Sequence, residues 1–211
     1  MPGPQLLDEL MPIYDVSDAV AVVVEADAST TWAALLATDL IEVGKHRPMV
    51  GLLGGIRALP EIVSKVLRGE PLPKPPERLT LPDTTSLPMD GGGWVLLGER
   101  PTEIALGLVG AFWRPVIRFA DVADADAFRS FSKPGYAKTV YALSVDEIEP
   151  GRSLLTAVMR TVSTDGRARR WFWRYWTFGV GSGAHVLARG LIDEARATAE
   201  RTAREQIGAA T

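Results

Sequence analysis

The C-terminal part of the chain joins a cluster of aromatic residues to a long segment of helical composition. The cluster lies between Trp171 and Phe178, and a polar segment rich in alanine and arginine follows it. Because an apolar stripe on a helix has to be buried against another layer, we expect a long terminal helix that covers a sheet formed by the preceding strands. The residues that recur at helical spacing are Phe172, Trp176, Val180, Leu187 and Leu191.

Two secondary structures fit the start of this segment. The alternation typical of a strand is present at Arg170, Phe172, Arg174 and Trp176. We predict a helix instead, because Thr164 can serve as its N-cap and because alanine and arginine favour helix. The glycines between Gly179 and Gly183 then predict a kink or a break in that helix.

The composition is that of an ordinary globular protein. The chain has 211 residues, of which 46% are hydrophobic and 23% charged, and we expect a single domain over residues 1–211. Its net charge of -3 makes nucleic acid a poor candidate partner, since neutralising many phosphates needs a broad positive surface. The absence of cysteine excludes disulfides, thiolate metal sites and cysteine nucleophiles, and is compatible with a reducing compartment.

Neither a targeting segment nor a metal site is predicted. Residues 1–9 lack the basic start and long apolar run of a signal peptide, so we expect a cytoplasmic protein. The most apolar stretch, Met49 to Leu67, contains charged residues and Pro60 and is too interrupted for an integral membrane segment. The two histidines, His46 and His185, are far apart and lack neighbours at ligand spacing, so no metal or cofactor is expected.

The order of the predicted elements points to an α+β fold. A strand from Val16 to Ala26 precedes a helix from Thr30 to Thr38, for which Ser29 is the expected N-cap. A second helix, from Pro48 to Arg68, should kink at Pro60, and a long proline-rich loop follows from Gly69 to Gly93. The later strands are predicted at Trp94–Arg100, Glu103–Gly110, Arg114–Phe119, Ala127–Phe131, Tyr136–Ile148 and Ser153–Ser163.

These elements predict a helix-grip architecture. A curved antiparallel sheet of about seven strands would wrap around the long C-terminal helix, with two helices after the first strand. A hollow is expected between a curved sheet and one helix. If a hollow of about 300 Å³ were empty, the cost would approach about 7 kcal/mol, which is comparable with the stability of a whole domain. We therefore expect the hollow to hold an occupant.

Several segments resemble the START/Bet v 1-like superfamily, the helix-grip proteins also called SRPBCC, in a bacterial branch. The resemblance extends from Met11 to about Arg201, nearly the whole chain. It implies a deep apolar cavity under the C-terminal helix, which different members use for lipids, sterols, plant hormones or polyketides. The segments that carry it are Trp94–Glu99, Glu103–Pro115, Phe128–Ala137 and Phe172–Trp176.

The candidate binding residues come from the strands and from the terminal helix. Strand alternation places Tyr141, Leu143 and Val145 on one face of their strand, and an arginine at the cavity would bind a carboxylate or phenolate. Core packing for the apolar residues, and a surface position for the arginines, are the alternative interpretations. The predicted ligand-binding set is Phe112, Trp113, Arg114, Phe131, Tyr141, Met159, Trp176, Val180 and Leu187, with Arg100, Arg118 and Arg160 as further candidate cations.

Three classes of function are compatible with this sequence. The first is binding of a hydrophobic small molecule, lipid, sterol-like or polyketide-like, by a monomer or homodimer. The second is a polyketide cyclase, an aromatase or a hydrolase acting on an apolar substrate, with Tyr141, Arg114 or Glu99 as a weak acid, base or anion holder. The third is partner binding through the proline-rich segment between Gly69 and Pro88.

Overall fold

The structure is a computed structural model that describes residues 3–46, 67–69, 76–86 and 92–209. Its helices are α1 (Gln5–Leu10), α2 (Ala28–Ala37), α3 (Leu40–His46), α4 (Ala125–Ser130), α5 (Gly166–Tyr175) and α6 (Gly181–Ala209), with a 3-10 helix at Pro82–Ser86 and a π turn at Trp176–Val180. Its strands are β1 (Val16–Val24), β2 (Val95–Arg100), β3 (Glu103–Ala111), β4 (Arg118–Phe119), β5 (Ala137–Glu149) and β6 (Arg152–Ser163).

The six described strands form one antiparallel sheet in the order β1-β6-β5-β3-β2, with the short β4 paired to β3. The prediction of a mixed α+β fold with an antiparallel sheet and a long C-terminal helix is therefore confirmed. The predicted strands around β1, β2, β3, β5 and β6 are all present. None of the helices in the described ranges combines the length and the apolar content that a membrane span needs.

One face of the sheet, here called the inner face, carries the main core. The inner residues of β1 alternate as Val20, Val22 and Val24, which pack with Leu143, Leu155 and the buried side of α6. Helix α2 lies against α6, and the hydroxyl groups of Thr31 and Ser153 tie it to β6 across 2.8 Å. The inner face is thus covered by two helices packed on each other.

The outer face of the sheet is covered by the short helices α1 and α4. Leu7 from α1 and Phe128 from α4 are fully buried there against Val140 and Ala142 of β5. Arg160 projects from β6 on this side and donates to the carbonyl of Met11 at 3.0 Å, while its second nitrogen lies 2.7 Å from Asp8. This arginine holds the C-terminal end of α1 on the sheet.

Two helix N-caps differ from the sequence-based prediction. Asp27, rather than Ser29, caps α2 by accepting from the amide of Thr30, and the hydroxyl of Ser29 donates to Asp27 instead. Asp165, rather than Thr164, caps α5 by accepting from Arg167 and Ala168. The hydroxyl of Thr164 donates to the carbonyl of Tyr136, the residue before β5, and does not cap the helix.

Two predicted strands are also corrected. Ala127–Phe131 belongs mainly to α4, because Asp124 accepts from the amide of Ala127 and begins a helix there. Of Arg114–Phe119 only the last two residues pair in the sheet, after a tight turn in which the amide of Arg114 donates to Ala111. The predicted helix Pro48–Arg68 lies outside the described residues except at its end, and the predicted loop Gly69–Gly93 is described only in part.

The glycine-rich segment neither breaks nor interrupts the terminal helix. Tyr175, Trp176 and Gly181 all keep right-handed helical backbone angles, and one turn is widened to a π turn between α5 and α6. A β-carbon at Gly181 would lie 2.8 Å from the Trp176 ring, so glycine is required where the indole crosses the helix. The predicted break is therefore absent, and the segment contains one widened turn in a continuous helical path.

Burial of α6 should dominate the stability of the domain. Ile192 is 0% exposed in the main core, whereas Ile207 near the end of the same helix is 69% exposed. We expect Ile192→Ala to lower the free energy of unfolding by about 2–5 kcal/mol through lost packing and a residual cavity. The matched control Ile207→Ala should change it by less than about 0.5 kcal/mol. Urea denaturation measures both, and similar losses for the two variants would contradict the assigned burial.

Candidate functional site

A cavity of about 370 Å³ lies between the inner face of the sheet and the first turns of α6. Its walls are mainly aliphatic and aromatic, with Leu187 on its open side at 42% exposure. Helix α3 and the 3-10 helix close another side. The lining residues are Asp18, Leu40, Val43, Leu81, Thr84, Trp94, Leu106, Tyr141, Ala157, Met159, Ala184, Leu187, Ala188 and Leu191.

The register of the strands explains the floor of this cavity. Asp18 of β1 pairs with Met159 of β6, Met159 with Tyr141 of β5, and Tyr141 with Leu106 of β3. Residues directly opposite each other point to the same face, so these four side chains form one row across the sheet. The row crosses beneath Ala184 and Ala188 of α6, whose small side chains leave the space above it open.

A second hollow of about 180 Å³ adjoins the first one and extends toward α5. Trp94, Met159 and Ala184 line both hollows. Half of the residues that line the second hollow are aromatic, and among them Phe172 and Trp176 lie with their ring centroids 6.0 Å apart in a stacked arrangement. The apolar space therefore continues beside the helix from α6 to the π turn.

Few polar groups face the cavity: Asp18 and Tyr141 lie on the sheet, and Thr84 lies on the 3-10 helix, where its hydroxyl donates to the carbonyl of Leu81. Asp18 is held by the ring of His185, whose Nδ1 is 3.0 Å from an oxygen of the carboxylate. The hydroxyl groups of Thr139 and Thr161 in the second hollow bond to each other at 2.9 Å. Tyr141 has no hydrogen-bond partner among the described residues. Its phenol is thus available to donate to, or accept from, a bound molecule.

The environment of Tyr141 keeps its phenol neutral. Burial in the apolar wall is the main cause that raises the pKa of this group, and the negative charge of Asp18 raises it further. A neutral phenol can donate a hydrogen bond to a carbonyl or hydroxyl oxygen of a ligand. Asp18 can only accept when it is ionised, so the same wall offers one donor and one acceptor.

The structure brings together about half of the predicted site residues. Tyr141, Met159 and Leu187 line the larger cavity, and Phe112 and Trp176 line the second hollow with Met159. The side chain of Val180 lies outside the part of the structure that is described.

The other predicted residues lie elsewhere. Trp113 packs beside the Phe112 and Phe172 cluster without lining either hollow, and Arg114 is exposed in the turn after β3. Phe131 lies on the outer face, with its ring 5.4 Å from that of Tyr136.

The further candidate arginines serve the outer face and the surface. Arg100 pairs with Glu9 at 2.8 Å and also lies near Glu103. Arg118 stacks over the ring of Tyr136 at 4.7 Å, and Arg160 stacks over Tyr14 in addition to its contacts with α1. These three arginines therefore do not supply a cation to the cavity.

Asp18 lines the cavity but is not among the site residues predicted from the sequence. It occupies an inner-face position between Val16 and Val20, where a charge interrupts a run of valines. A charged residue at an inward position of a buried strand is costly unless it is paired. That conflict was visible in the sequence, but its partner His185 is 167 positions away and could not be identified from spacing.

Within the described residues, no group of three or more histidine, aspartate and glutamate side chains is arranged to hold a metal ion. The chain matches no protein-family model, no curated protein and no solved structure. The function is therefore inferred from the geometry of the cavity itself.

The partly buried phenol of Tyr141 should make stability depend on alkaline pH. A tyrosine in the unfolded chain has a pKa of about 10, whereas the pKa of Tyr141 is raised in the folded protein. The contribution of Tyr141 to stability is therefore fully present below about pH 10. It is lost as the pH rises further, because the unfolded state gives up this proton more readily than the folded state. We expect unfolding free energies, measured in urea between about pH 9 and 11, to fall less steeply for Tyr141→Phe. Equal slopes would contradict the burial of this hydroxyl.

Proposed function

We propose that this protein binds a hydrophobic small molecule, such as a lipid, a sterol-like or a polyketide-like compound, between the sheet and α6. The observation that carries the proposal is the cavity of about 370 Å³ with its mainly apolar wall. Small-molecule sites typically have about 300–1,000 Å³, mostly apolar walls and a few polar groups that fix orientation. Membership of the START/Bet v 1-like, helix-grip proteins is part of the same proposal, supported by the order of the elements.

The apolar wall of the cavity also favours an occupant. The cavity is open on the side of Leu187, so water reaches its aliphatic and aromatic lining. An apolar ligand removes that lining from water at about 25 cal/mol per Å², and its binding stabilises the folded state.

The polar wall indicates which end of the ligand it would hold. Asp18 and Tyr141 lie in one row of the sheet, and Leu106 continues that row away from them. A hydroxyl or amino group on the ligand would donate to Asp18, and a ligand oxygen would accept from Tyr141. The apolar body would then extend along Leu106, Trp94 and the second hollow.

Blocking the cavity from the helix tests this proposal. Ala184 lines both hollows, whereas Ala197 on the same helix is exposed to solvent. Binding of the neutral dye Nile red, followed by fluorescence, should weaken by about tenfold or more in Ala184→Trp, because the indole occupies the ligand space. The control Ala197→Trp should leave the Kd unchanged.

The choice of probe and control determines what each outcome means. A neutral dye excludes attraction to surface arginines as the cause of binding. Dye binding that is equal in the wild type and in Ala184→Trp, with both proteins folded by circular dichroism, would contradict a site between sheet and helix. Equal losses in both tryptophan variants would contradict it as well.

An enzyme acting on an apolar substrate is the second candidate function. It is favoured by the pairing of His185 with Asp18, since Asp18 lines the cavity together with Tyr141. Histidine, carboxylate and phenol are groups that transfer protons in catalysis.

The two functions differ in what happens to the bound molecule. The ligand extracted from the purified protein should be returned unchanged after incubation if the protein is a carrier. An enzyme would convert it, and Tyr141→Phe would then lose conversion while retaining binding. Mass spectrometry of the extract before and after incubation separates the two outcomes.

A further inference from the structure

Helix α5 and the π turn expose large aromatic rings to solvent. Trp171 is 47% exposed, Trp173 55% and Phe178 86%, although rings of this size are usually mostly buried. Ala168 and Phe172 form the buried side of α5, so the helix is anchored to the domain and its remaining sides face outward. These exposed rings therefore belong to an ordered surface with a fixed orientation.

The same surface is strongly basic in a chain whose net charge is -3. Four arginines and no acidic residue lie between Gly166 and Phe178. Arg169 pairs with Asp15, but Arg170 and Arg174 have no ion pair among the described residues. The guanidinium of Arg174 lies over the ring of Trp171 at 5.4 Å. Basic and aromatic groups are thus interleaved on one helix.

The turn between β3 and β4 extends this surface. Trp113 and Ile117 pack against the cluster that contains Phe172, so the turn lies beside α5. Its outward side chains include Arg114 and the apolar Val116, which is exposed. The sequence from Phe112 to Arg118 contains no acidic residue either. We call α5, the π turn and this turn together the arginine–aromatic surface.

We propose that the arginine–aromatic surface binds the face of a membrane that contains anionic phospholipids. Guanidinium groups form paired hydrogen bonds with phosphate oxygens, and positive charge is complementary to an anionic bilayer. Tryptophan is favoured at the level of the lipid headgroups, where its ring is partly in apolar and partly in polar surroundings. Exposed Phe178 supplies the apolar group that penetrates further, as in helices that lie in the membrane interface.

Single-stranded nucleic acid is the competing occupant of such a surface, because arginine and tryptophan also stack on bases. The apolar groups decide between the two. Val116 is aliphatic and exposed at this surface, and it offers no ring on which a base could stack. A bilayer removes such a group from water and gains free energy from its burial, whereas a polyanion offers it little.

The arginine–aromatic surface lies next to the second hollow, but the proposed membrane binding does not depend on that hollow. Phe172 and Trp176, which form the inner side of this helical segment, also line the second hollow. A protein attached through α5 would bring one end of the apolar space to the bilayer. Membrane binding itself requires only the exposed residues, so it stands even if the cavity proposal fails.

Vesicle co-sedimentation with the full chain tests the proposal. We expect binding to vesicles that contain phosphatidylglycerol and much weaker binding to phosphatidylcholine alone. Arg170→Glu combined with Arg174→Glu should lower the partition coefficient by about tenfold or more, since each basic residue near the surface contributes about 1 kcal/mol. Trp173→Ser combined with Phe178→Ser should lower it on both lipid compositions.

A matched control makes the same change of net charge near the end of α6. Arg201 and Arg204 are exposed near the end of α6, and their joint replacement by glutamate should leave vesicle binding within about twofold of the wild type. A loss as large as that of the α5 variants would show only a general charge effect and would overturn the proposal. All variants change exposed residues, and circular dichroism reports whether each variant is folded.

A second measurement follows the tryptophan fluorescence of the protein on vesicles. Brominated phosphatidylglycerol vesicles should quench tryptophan fluorescence, and Trp173→Phe should reduce that quenching. No quenching and no sedimentation with anionic vesicles would overturn the proposal. Binding to a single-stranded RNA oligonucleotide that persists while vesicles are not bound would also overturn it, in favour of nucleic acid.

Discussion

The packing of α6 on the inner face of the sheet is the contact on which the rest of the molecule depends. Ile192 and Ala195 are completely buried, and they join the valines of β1 to helix α2 in one core. Alanines on the buried side let α2 approach α6 closely, and the Thr31 to Ser153 hydrogen bond adds a polar tie to β6. These buried residues therefore hold α6 on the sheet and on α2, and they also position the first turns of α6 beside the cavity.

The cavity follows from a change of residue size along the same helix. Near the start of α6, Ala184 and Ala188 line the cavity together with Met159 and Tyr141, and their small side chains occupy little of its space. The π turn and Gly181 then let the Trp176 ring cross close to the helix, beside Phe172. One helix thus closes the core at one end and leaves an apolar space at the other, with the arginine–aromatic surface just beyond it.

The fold was largely predictable because its signals are local or periodic. The alternation in β5 placed Tyr141 on the same face as Leu143, and the apolar spacing after Trp171 indicated the terminal helix. The wrong predictions concern residues whose place in the structure depends on a partner far away in the sequence. Thr164 is taken up by Tyr136, which leaves the N-cap of α5 to Asp165. Phe131 follows a short helix toward the outer face, and the pairing of Asp18 with His185 joins opposite ends of the chain.

Native mass spectrometry of protein purified from its own host tests most directly whether the space between the sheet and α6 holds a hydrophobic molecule. We expect a reproducible adduct of one apolar compound or compound class on the folded chain, absent from Ala184→Trp. Protein that retains its bare mass after purification, and also after incubation with a lipid extract of the same host, would contradict binding in this space.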